Sequence, residues 1–381
     1  MAEKVVISGA DAVAEAVKLC KAKVLPMYPI TPSTVIPERI SELIANGEMD
    51  ANMIYVESEH SAISALFGAY ATGVRGFTAT ASQGLALMHE ILPIMASMRF
   101  PAVMLVANRA LSGPINIWND HSDSMSERDQ GWLQLYCENN QEAFDTIIMA
   151  YKIAESNEVS LPIMVCMDGY YLTHSYEAIT IEEQEKVSEF LPPYSPQNYL
   201  DTKKPMSFGP IAYPNVYFEF KEEQEKGMQK AIEIIPKVQQ EFKKKFGRNY
   251  GDGLIETYRL EDADYALLCT GSINGTARVV IDEMRREGKK VGLIKLIAVR
   301  PLPVERLKKV SKKLKAIAVI DRHASIGFGG ALSNDIKATM TKEKTTIAGF
   351  MAGLGGRDVD RGRLRKALET VMNGKEGYWL K

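Results

Sequence analysis

The feature that most constrains this fold is the alternation of strand-like and helix-like segments over the first 190 residues. Apolar residues recur at three- and four-residue spacing from Ser8 to Cys20, and the short apolar run Val24–Tyr28 follows. The alternation continues through a predicted helix at Leu85–Met98 and the strand-like runs Pro101–Asn108 and Pro162–Met167. Repeated β-α-β units bring their strands together in parallel and place helices on both faces of the sheet. The sequence therefore predicts a doubly wound parallel-sheet domain over residues 1–190.

A stretch without regular strand or helix periodicity separates this region from a second α/β unit. Prolines interrupt a weakly periodic stretch from Gln184 to Pro210, and Glu219–Phe246 has the pattern of a long, charged amphipathic helix. Strand and helix patterns resume near Ala263 and continue to the end of the chain. The predicted layout is a domain at 1–190, a connector with a long helix at 191–258 and a smaller α/β domain at 259–381.

Charge and composition exclude several classes of protein. The formal net charge is −2 and no basic stripe is present, so nucleic-acid binding is not expected. No apolar run reaches about 20 residues, which argues against a membrane span. No secretory pattern follows Glu3 and Lys4, so we expect a cytoplasmic protein. The four cysteines include no Cys-x-x-Cys pair, so no iron–sulfur or structural zinc site is expected in this chain.

Three unusual residues follow strands of the first domain, where open α/β sheets place their ligands. Thr31 lies between two prolines in a rigid loop, Glu59 opens a helix of small residues, and Arg109 leaves an apolar strand. Each has a structural alternative: Thr31 or Ser33 as the cap of the next helix, Glu59 as a capping carboxylate stabilised by the helix dipole, and Arg109 as half of an Arg–Glu pair. The residues alone leave these alternatives open.

Other polar and glycine-rich motifs are weaker evidence for a functional site. His121, in a polar loop, is either an acid–base group or a loop hydrogen-bonder. Gly251–Gly253, followed by Asn274, only superficially resembles a metal–diphosphate motif, because the spacing is too short and the motif follows a charged helix. No metal site is therefore predicted. Gly271–Thr276 and Ile326–Gly330 open helices and so have the geometry of weak candidate phosphate sites.

Taken together, the motifs resemble the α subunit of the 2-oxoacid:ferredoxin oxidoreductases. The likeness spans nearly the whole chain. The motifs that carry it are Tyr28–Pro32, Val56–Ala62, Phe77–Gly84, Asn108–Arg109, Asn119–Asp123, Arg300–Pro303 and Gly353–Asp358. The resemblance implies a thiamine-diphosphate-binding (pyrimidine) fold followed by a transketolase C-terminal-like domain.

The resemblance also implies roles for individual residues. Glu59 would hydrogen-bond the aminopyrimidine of thiamine diphosphate, beside cofactor-binding Pro29 and Ile30. Thr31 and Arg109 would hold the 2-oxo acid, whose decarboxylation uses the cofactor as an electron sink. Thr31 suits a substrate with a neutral tail, whereas an arginine at this position would suit a second carboxylate. Branched-chain 2-oxoacid enzymes share most of these motifs, and the resemblance favours pyruvate over branched-chain 2-oxo acids such as 2-oxoisovalerate.

The resemblance further implies that this chain holds only half of an active site. Beta, gamma and delta subunits would complete the complex, and Mg²⁺ and [4Fe-4S] clusters would reside on those partner subunits. Pyruvate and coenzyme A would be the substrates and ferredoxin the electron acceptor. A different class of protein stays open: a non-catalytic scaffold or CoA-binding α/β subunit that uses the glycine-rich elements of the second domain.

Overall fold

A computed structural model describes residues 2–381. The chain forms two α/β units, each with a five-stranded sheet in which parallel pairing dominates, and the predicted fold class is confirmed. The strands of the first unit are β1 (Glu3–Ser8), β2 (Val24–Met27), β3 (Asn52–Tyr55), β4 (Phe77–Thr80), β5 (Val103–Asn108), β6 (Leu133–Tyr136), β7 (Ile163–Asp168) and β8 (Tyr176–Ile181). Its helices are α1 (Gly9–Leu19), α2 (Val35–Ala45), α3 (Glu59–Ala71), α4 (Ser82–Leu87), α5 (Leu92–Ser97), α6 (Ser122–Ser126), α7 (Asn140–Ala154) and α8 (Gln184–Phe190).

The first sheet runs in the order β6-β7-β5-β4, with all four strands parallel. The parallel pair β2–β3 continues it beside β4, where Lys23 N–H donates to Arg75 O at 2.8 Å. Pro26 in β2 has no N–H for the ladder, and the Thr78 hydroxyl donates to Pro26 O at 2.8 Å. The residues of β4 and β5 are buried, as continuous apolar runs in a parallel sheet predict.

One predicted helix is wrong. Leu85–Met98 was expected to be continuous, but the structure has two short helices, α4 and α5, with a break between them. Pro93 lies in the first turn of α5, and its missing N–H cannot bond to the preceding turn. The break therefore follows from the proline.

The second unit follows helix α9 (Tyr217–Phe246). Its strands are β9 (Ile255–Tyr258), β10 (Tyr265–Cys269), β11 (Val291–Leu296), β12 (Ala298–Arg300), β13 (Ala316–Asp321) and β14 (Thr346–Met351), and its helices are α10 (Ile273–Arg286), α11 (Val304–Ser311), α12 (Ala331–Thr339) and α13 (Arg361–Met372). The second sheet has the order β14-β13-β10-β11-β9, and β9 pairs antiparallel with β11. Within residues 2–381, no helix is both long enough and apolar enough to cross a membrane.

One strand of the second unit pairs with the sheet of the first unit. β12 follows β11 directly in the chain, yet it pairs antiparallel with β6 at the edge of the first sheet, with Ala298 opposite Leu135. Lys295, at the end of β11, is buried against Glu142 of α7, with Nζ–Oε2 at 2.8 Å, and against Glu138 at 2.9 Å. A shared sheet edge and buried ion pairs therefore hold the units in one arrangement.

Candidate functional site

The three predicted site residues follow neighbouring parallel strands. β3, β2, β4 and β5 lie side by side, and their carboxyl ends share one edge of the sheet. Thr31 follows β2, Glu59 follows β3 and Arg109 follows β5. Open parallel sheets bind ligands at this edge.

Glu59 is the first residue of α3 and is 6% exposed. Ser58 provides the helix cap instead, because its hydroxyl accepts the Ser61 N–H at 3.3 Å. Burial raises the pKa of the Glu59 carboxyl. No other residue within 2–381 donates a hydrogen bond to this carboxylate or pairs with it. The structure thus holds a carboxylate whose capping role is taken by its neighbour and whose oxygens are free for a ligand.

Helix α4, which follows β4, lies against this carboxylate. A Cβ at Gly84 would lie 2.6 Å from Glu59 Oε1 and 2.4 Å from Thr80 Oγ1. Thr80 Oγ1 is buried and has no partner in the described part of the chain. Glycine is therefore required for α4 to approach Glu59 this closely.

Arg109 is 7% exposed and forms no ion pair with any carboxylate of residues 2–381. Its Nε donates to Asn116 O at 3.0 Å and its Nη1 donates to Thr31 O at 3.0 Å. The structural Arg–Glu pair is thus absent from the described residues. A buried guanidinium is costly without an anion, and two backbone carbonyls supply only partial charge. The arrangement leaves Nη2 for an external anion.

Thr31 and Arg109 are brought together by the hydrogen bond just described. Ser33 donates its hydroxyl to Ile30 O at 2.8 Å, and Thr34, at the N-cap of α2, makes no side-chain capping bond. The Thr31 hydroxyl has no hydrogen-bond partner among residues 2–381. Neither Thr31 nor Ser33 caps α2, which favours a ligand-binding role for the loop that also carries Pro29.

Asp123 was not singled out from the sequence, yet it organises this edge. It is buried, and its Oδ2 accepts the N–H groups of Ser82 and Arg109, both at 2.9 Å. Its Oδ1 accepts Asn108 Nδ2 at 2.8 Å. Burial raises the pKa of its carboxyl. Asp123 thereby fixes the start of α4, the helix that faces Glu59, relative to the backbone of Arg109. The polar loop around His121 was the only sequence signal for it.

His121 lies in a buried cluster between the two units. Its Nε2 is 2.8 Å from Asp168 Oδ1, and Arg322 Nη1 is 2.5 Å from Asp168 Oδ2. Ser272, from the second unit, donates its N–H to Asp168 Oδ2 at 2.9 Å. Asp168 is buried, but the charges of Arg322 and His121 outweigh the effect of burial and hold the pKa of its carboxyl low. The geometry favours the structural interpretation of His121.

The glycine-rich elements of the second unit are already occupied by carboxylates. Asp168 accepts the Ser272 N–H at the start of α10. Asp321 accepts the N–H groups of Leu332 at 2.7 Å and Ser333 at 3.1 Å at the start of α12. An incoming phosphate would have to displace these groups, so the structure disfavours both elements as phosphate sites. Asp252 of the Gly251–Gly253 motif accepts the N–H groups of residues 254 and 255, as expected for a turn.

Comparison with known families identifies the class. Residues 15–240 match the family described as pyruvate flavodoxin/ferredoxin oxidoreductase, thiamine-diphosphate-binding, and residues 263–363 match pyruvate:ferredoxin oxidoreductase core domain II. The first match covers more than half of the chain. The chain therefore belongs to the pyruvate:ferredoxin oxidoreductase family, and its first unit is of the thiamine-diphosphate-binding type.

Individual relatives of the chain are consistent with this family assignment. The chain is 52% identical to pyruvate synthase subunit PorA of Methanocaldococcus jannaschii, with 100% of this chain and 98% of that one covered. It is 50% identical to pyruvate synthase subunit PorA of Pyrococcus furiosus, with 98% and 94% covered. It is also 45% identical to ketoisovalerate oxidoreductase subunit VorA of Pyrococcus horikoshii, with 93% and 90% covered.

A solved structure has the same fold. It is 2-oxoglutarate:ferredoxin oxidoreductase from Magnetococcus marinus with 2-oxoglutarate, coenzyme A and succinyl-CoA bound. The TM-score is 0.75 at 19% identity, and the match covers 96% of this chain and 65% of that chain. At this identity the likeness concerns the fold alone.

Proposed function

We propose that this chain is the α subunit of a pyruvate:ferredoxin oxidoreductase and contributes one half of its thiamine-diphosphate site. The complex would convert pyruvate and coenzyme A to acetyl-CoA and CO₂, with two electrons passed to ferredoxin, and would run in reverse as a pyruvate synthase. The observation that carries the proposal is Arg109, a buried guanidinium with no carboxylate partner among the described residues, beside a free threonine hydroxyl.

The residues of this edge fit the pyrimidine end of thiamine diphosphate. Glu59 offers a carboxylate without a partner among the described residues, burial raises its pKa, and Gly84 leaves space against it. When bound, the cofactor supplies a carbon nucleophile and an electron sink for loss of CO₂. Glu59 would hydrogen-bond the aminopyrimidine and exchange a proton with it, next to Pro29 and Ile30. A raised pKa suits this task, because proton transfer is most efficient near the working pH.

Arg109 and Thr31 would hold the substrate. The guanidinium fork suits a carboxylate, and the Thr31 hydroxyl would donate to a substrate oxygen. Since Thr31 O and Asn116 O fix two edges of the fork, the substrate carboxylate would meet a group already oriented. The carboxylate leaves as neutral CO₂, so this contact orients the substrate and must not hold its charge too strongly.

The rest of the site would lie on partner subunits. The four cysteines are buried as free thiols. A beta subunit would supply Mg²⁺ and the diphosphate site, and [4Fe-4S] clusters on partner chains would carry electrons to ferredoxin, with gamma and delta subunits completing the complex. Free thiols suit a reducing compartment, and we place the complex in the cytoplasm.

The proposed division of the chain follows these roles. Residues 1–190 would form the pyrimidine-binding domain, 191–258 the connector and 259–381 the transketolase C-terminal-like domain. The pairing of β9 (Ile255–Tyr258) with β11 supports an attachment of the connector's end to the last of these domains.

A substrate panel on the purified complex tests the proposed function. We expect the highest kcat/KM for pyruvate and a lower value for 2-oxoisovalerate, since the chain is 52% and 50% identical to pyruvate synthase subunits and 45% identical to a ketoisovalerate oxidoreductase subunit. We expect the lowest value for 2-oxoglutarate, because the Arg109 guanidinium suits one carboxylate and 2-oxoglutarate carries two. Preference for 2-oxoisovalerate would instead place the chain with the branched-chain enzymes. Absence of turnover with every 2-oxo acid would support a scaffold subunit.

Replacement of Arg109 by Lys should raise the KM for pyruvate about 10-fold to 100-fold, in line with loss of a charged hydrogen bond of about 1.5–3 kcal/mol. Lysine keeps the charge but cannot bond Asn116 O, Thr31 O and a carboxylate at once. Steady-state kinetics of the complex measure the change, with the exposed Arg361→Lys as control. An unchanged KM would remove Arg109 from the substrate site.

A further inference from the structure

The turn Gly353–Gly356 of the second unit is bonded to the first unit by both its N–H and its carbonyl groups. Gly355 N–H donates to Asp120 Oδ2 at 3.1 Å, and Gly356 N–H donates to Asn119 O at 2.7 Å. The Tyr171 hydroxyl donates to Gly356 O at 2.9 Å. The turn is therefore held firmly against the loop that follows Arg109.

Asn116 connects this turn to the guanidinium. Its Nδ2 donates to Gly355 O at 3.1 Å, and its Oδ1 accepts the Trp118 N–H at 2.8 Å. Its own backbone carbonyl accepts Arg109 Nε at 3.0 Å. The side chain thus anchors the peptide unit whose carbonyl orients Arg109. Without that anchor, the Asn116 carbonyl would lose its link to the second unit, although Ala110 N–H would still donate to Trp118 O at 3.0 Å.

The glycines of the turn are required by this contact. Gly355 has φ +59°, and a Cβ there would lie 2.6 Å from Asn116 Nδ2. Gly356 has φ +81°, and a Cβ there would lie 2.4 Å from Trp118 Cβ. A side chain at Gly355 would meet both a strained backbone and the amide of Asn116.

We propose that the Gly353–Gly356 turn positions Arg109 through Asn116, so that the second unit sets the affinity of the first unit for the 2-oxo acid. Asn116 is a positioning residue, because it reaches the substrate only through Arg109. The inference rests on the proposed function, in which Arg109 binds the substrate carboxylate. It gives the second unit a part in substrate recognition that none of its own side chains performs directly.

The test uses the intact complex carrying Asn116→Ala, with Ile115→Ala as the matched control. Ile115 is the next residue in the same loop and is 80% exposed. Asn116→Ala should raise the KM for pyruvate about 5-fold, the effect of one lost hydrogen bond, with kcat changed less than about 2-fold. The Kd of oxamate, an unreactive carboxylate analogue, should rise by the same factor in isothermal titration. Ile115→Ala should leave both values unchanged.

Gly355→Ala perturbs the contact between Asn116 and Gly355 from the side of the second unit. Alone, it should raise the KM for pyruvate about 5-fold, and combined with Asn116→Ala it should add little, whereas independent effects would multiply to about 25-fold. A KM and an oxamate Kd for Asn116→Ala equal to those of Ile115→Ala would overturn the inference, as would multiplicative effects in the double variant.

The Arg109→Lys complex, assayed in parallel, distinguishes the two claims. If Arg109→Lys raises the KM while Asn116→Ala does not, the positioning role fails and the proposed function stands. If neither variant raises the KM, the substrate-binding role of Arg109 itself fails, and the inference fails with it.

Discussion

Replacement of Glu59 by Gln should lower kcat for pyruvate by about 10²-fold to 10⁴-fold, the range for loss of a positioned proton-transfer group. Glutamine preserves the shape of the side chain but cannot exchange a proton. Glu59 is not the cap of α3 and accepts no hydrogen bond from another of the described residues, so the fold should not depend on its charge. Steady-state kinetics of the complex saturated with thiamine diphosphate measure the loss.

Glu57→Gln is the matched control for this variant. Glu57 is two residues away, is exposed, and accepts a hydrogen bond from the Ser61 hydroxyl. It should retain nearly all activity, and both variants should assemble and unfold like the parent complex. A Glu59→Gln complex with more than about a tenth of the parental kcat would contradict the assignment, because proton-transfer groups contribute more than this.

Replacement of Asp168 by Ala should destabilise the protein by about 3–5 kcal/mol, the typical cost of breaking a buried ion pair by removing one partner. The change would leave Arg322 buried without its carboxylate and would free His121 and the Ser272 N–H. The expected result is a lower thermal unfolding temperature of the complex. Asp262→Ala is the control, since Asp262 pairs with Arg285 while its side chain is 61% exposed, and such pairs contribute about 0–1 kcal/mol.

The same carboxylate predicts a pH dependence. The pKa of Asp168 is lower in the folded chain than in an unfolded one, so its contribution to stability is fully present above the ordinary aspartate pKa of about 4. The contribution is lost as pH falls below that value. The stability difference between the parent and Asp168→Ala should therefore be constant near neutral pH and shrink in acid. Equal unfolding temperatures of the two proteins at pH 7 would contradict the role given to this cluster.

Local patterns in the sequence were sufficient to predict most of the helices and strands. The parallel strands β5 and β7 are continuous apolar runs, and Ser8 caps α1 by accepting the Asp11 N–H on its hydroxyl at 3.1 Å. The short strands β6 and β12 were missed, because three or four residues carry little periodicity and their partners lie far apart in the chain. The break between α4 and α5 was missed although Pro93 marks it.

Some residues of the candidate site could likewise be predicted from the sequence and others could not. Thr31, Glu59 and Arg109 could be singled out because each is an unusual residue in the segment that follows a strand. Asp123 and Asn116 were not, because what they do depends on which backbone groups the fold brings to them. The pairing of Asp168 with Arg322 joins residues 154 positions apart, and no local pattern reports such a contact. Contacts between the two units were therefore beyond prediction from motifs.

The central claim is that this chain supplies the pyrimidine side of a thiamine-diphosphate site completed by a partner subunit. Its most direct test is a cryo-EM structure of the intact complex with thiamine diphosphate bound. We predict a Glu59 carboxylate oxygen within about 2.6–3.2 Å of an aminopyrimidine ring nitrogen, with the diphosphate on a neighbouring chain. A pyrimidine ring bound away from Glu59, or a diphosphate held by this chain, would contradict the account.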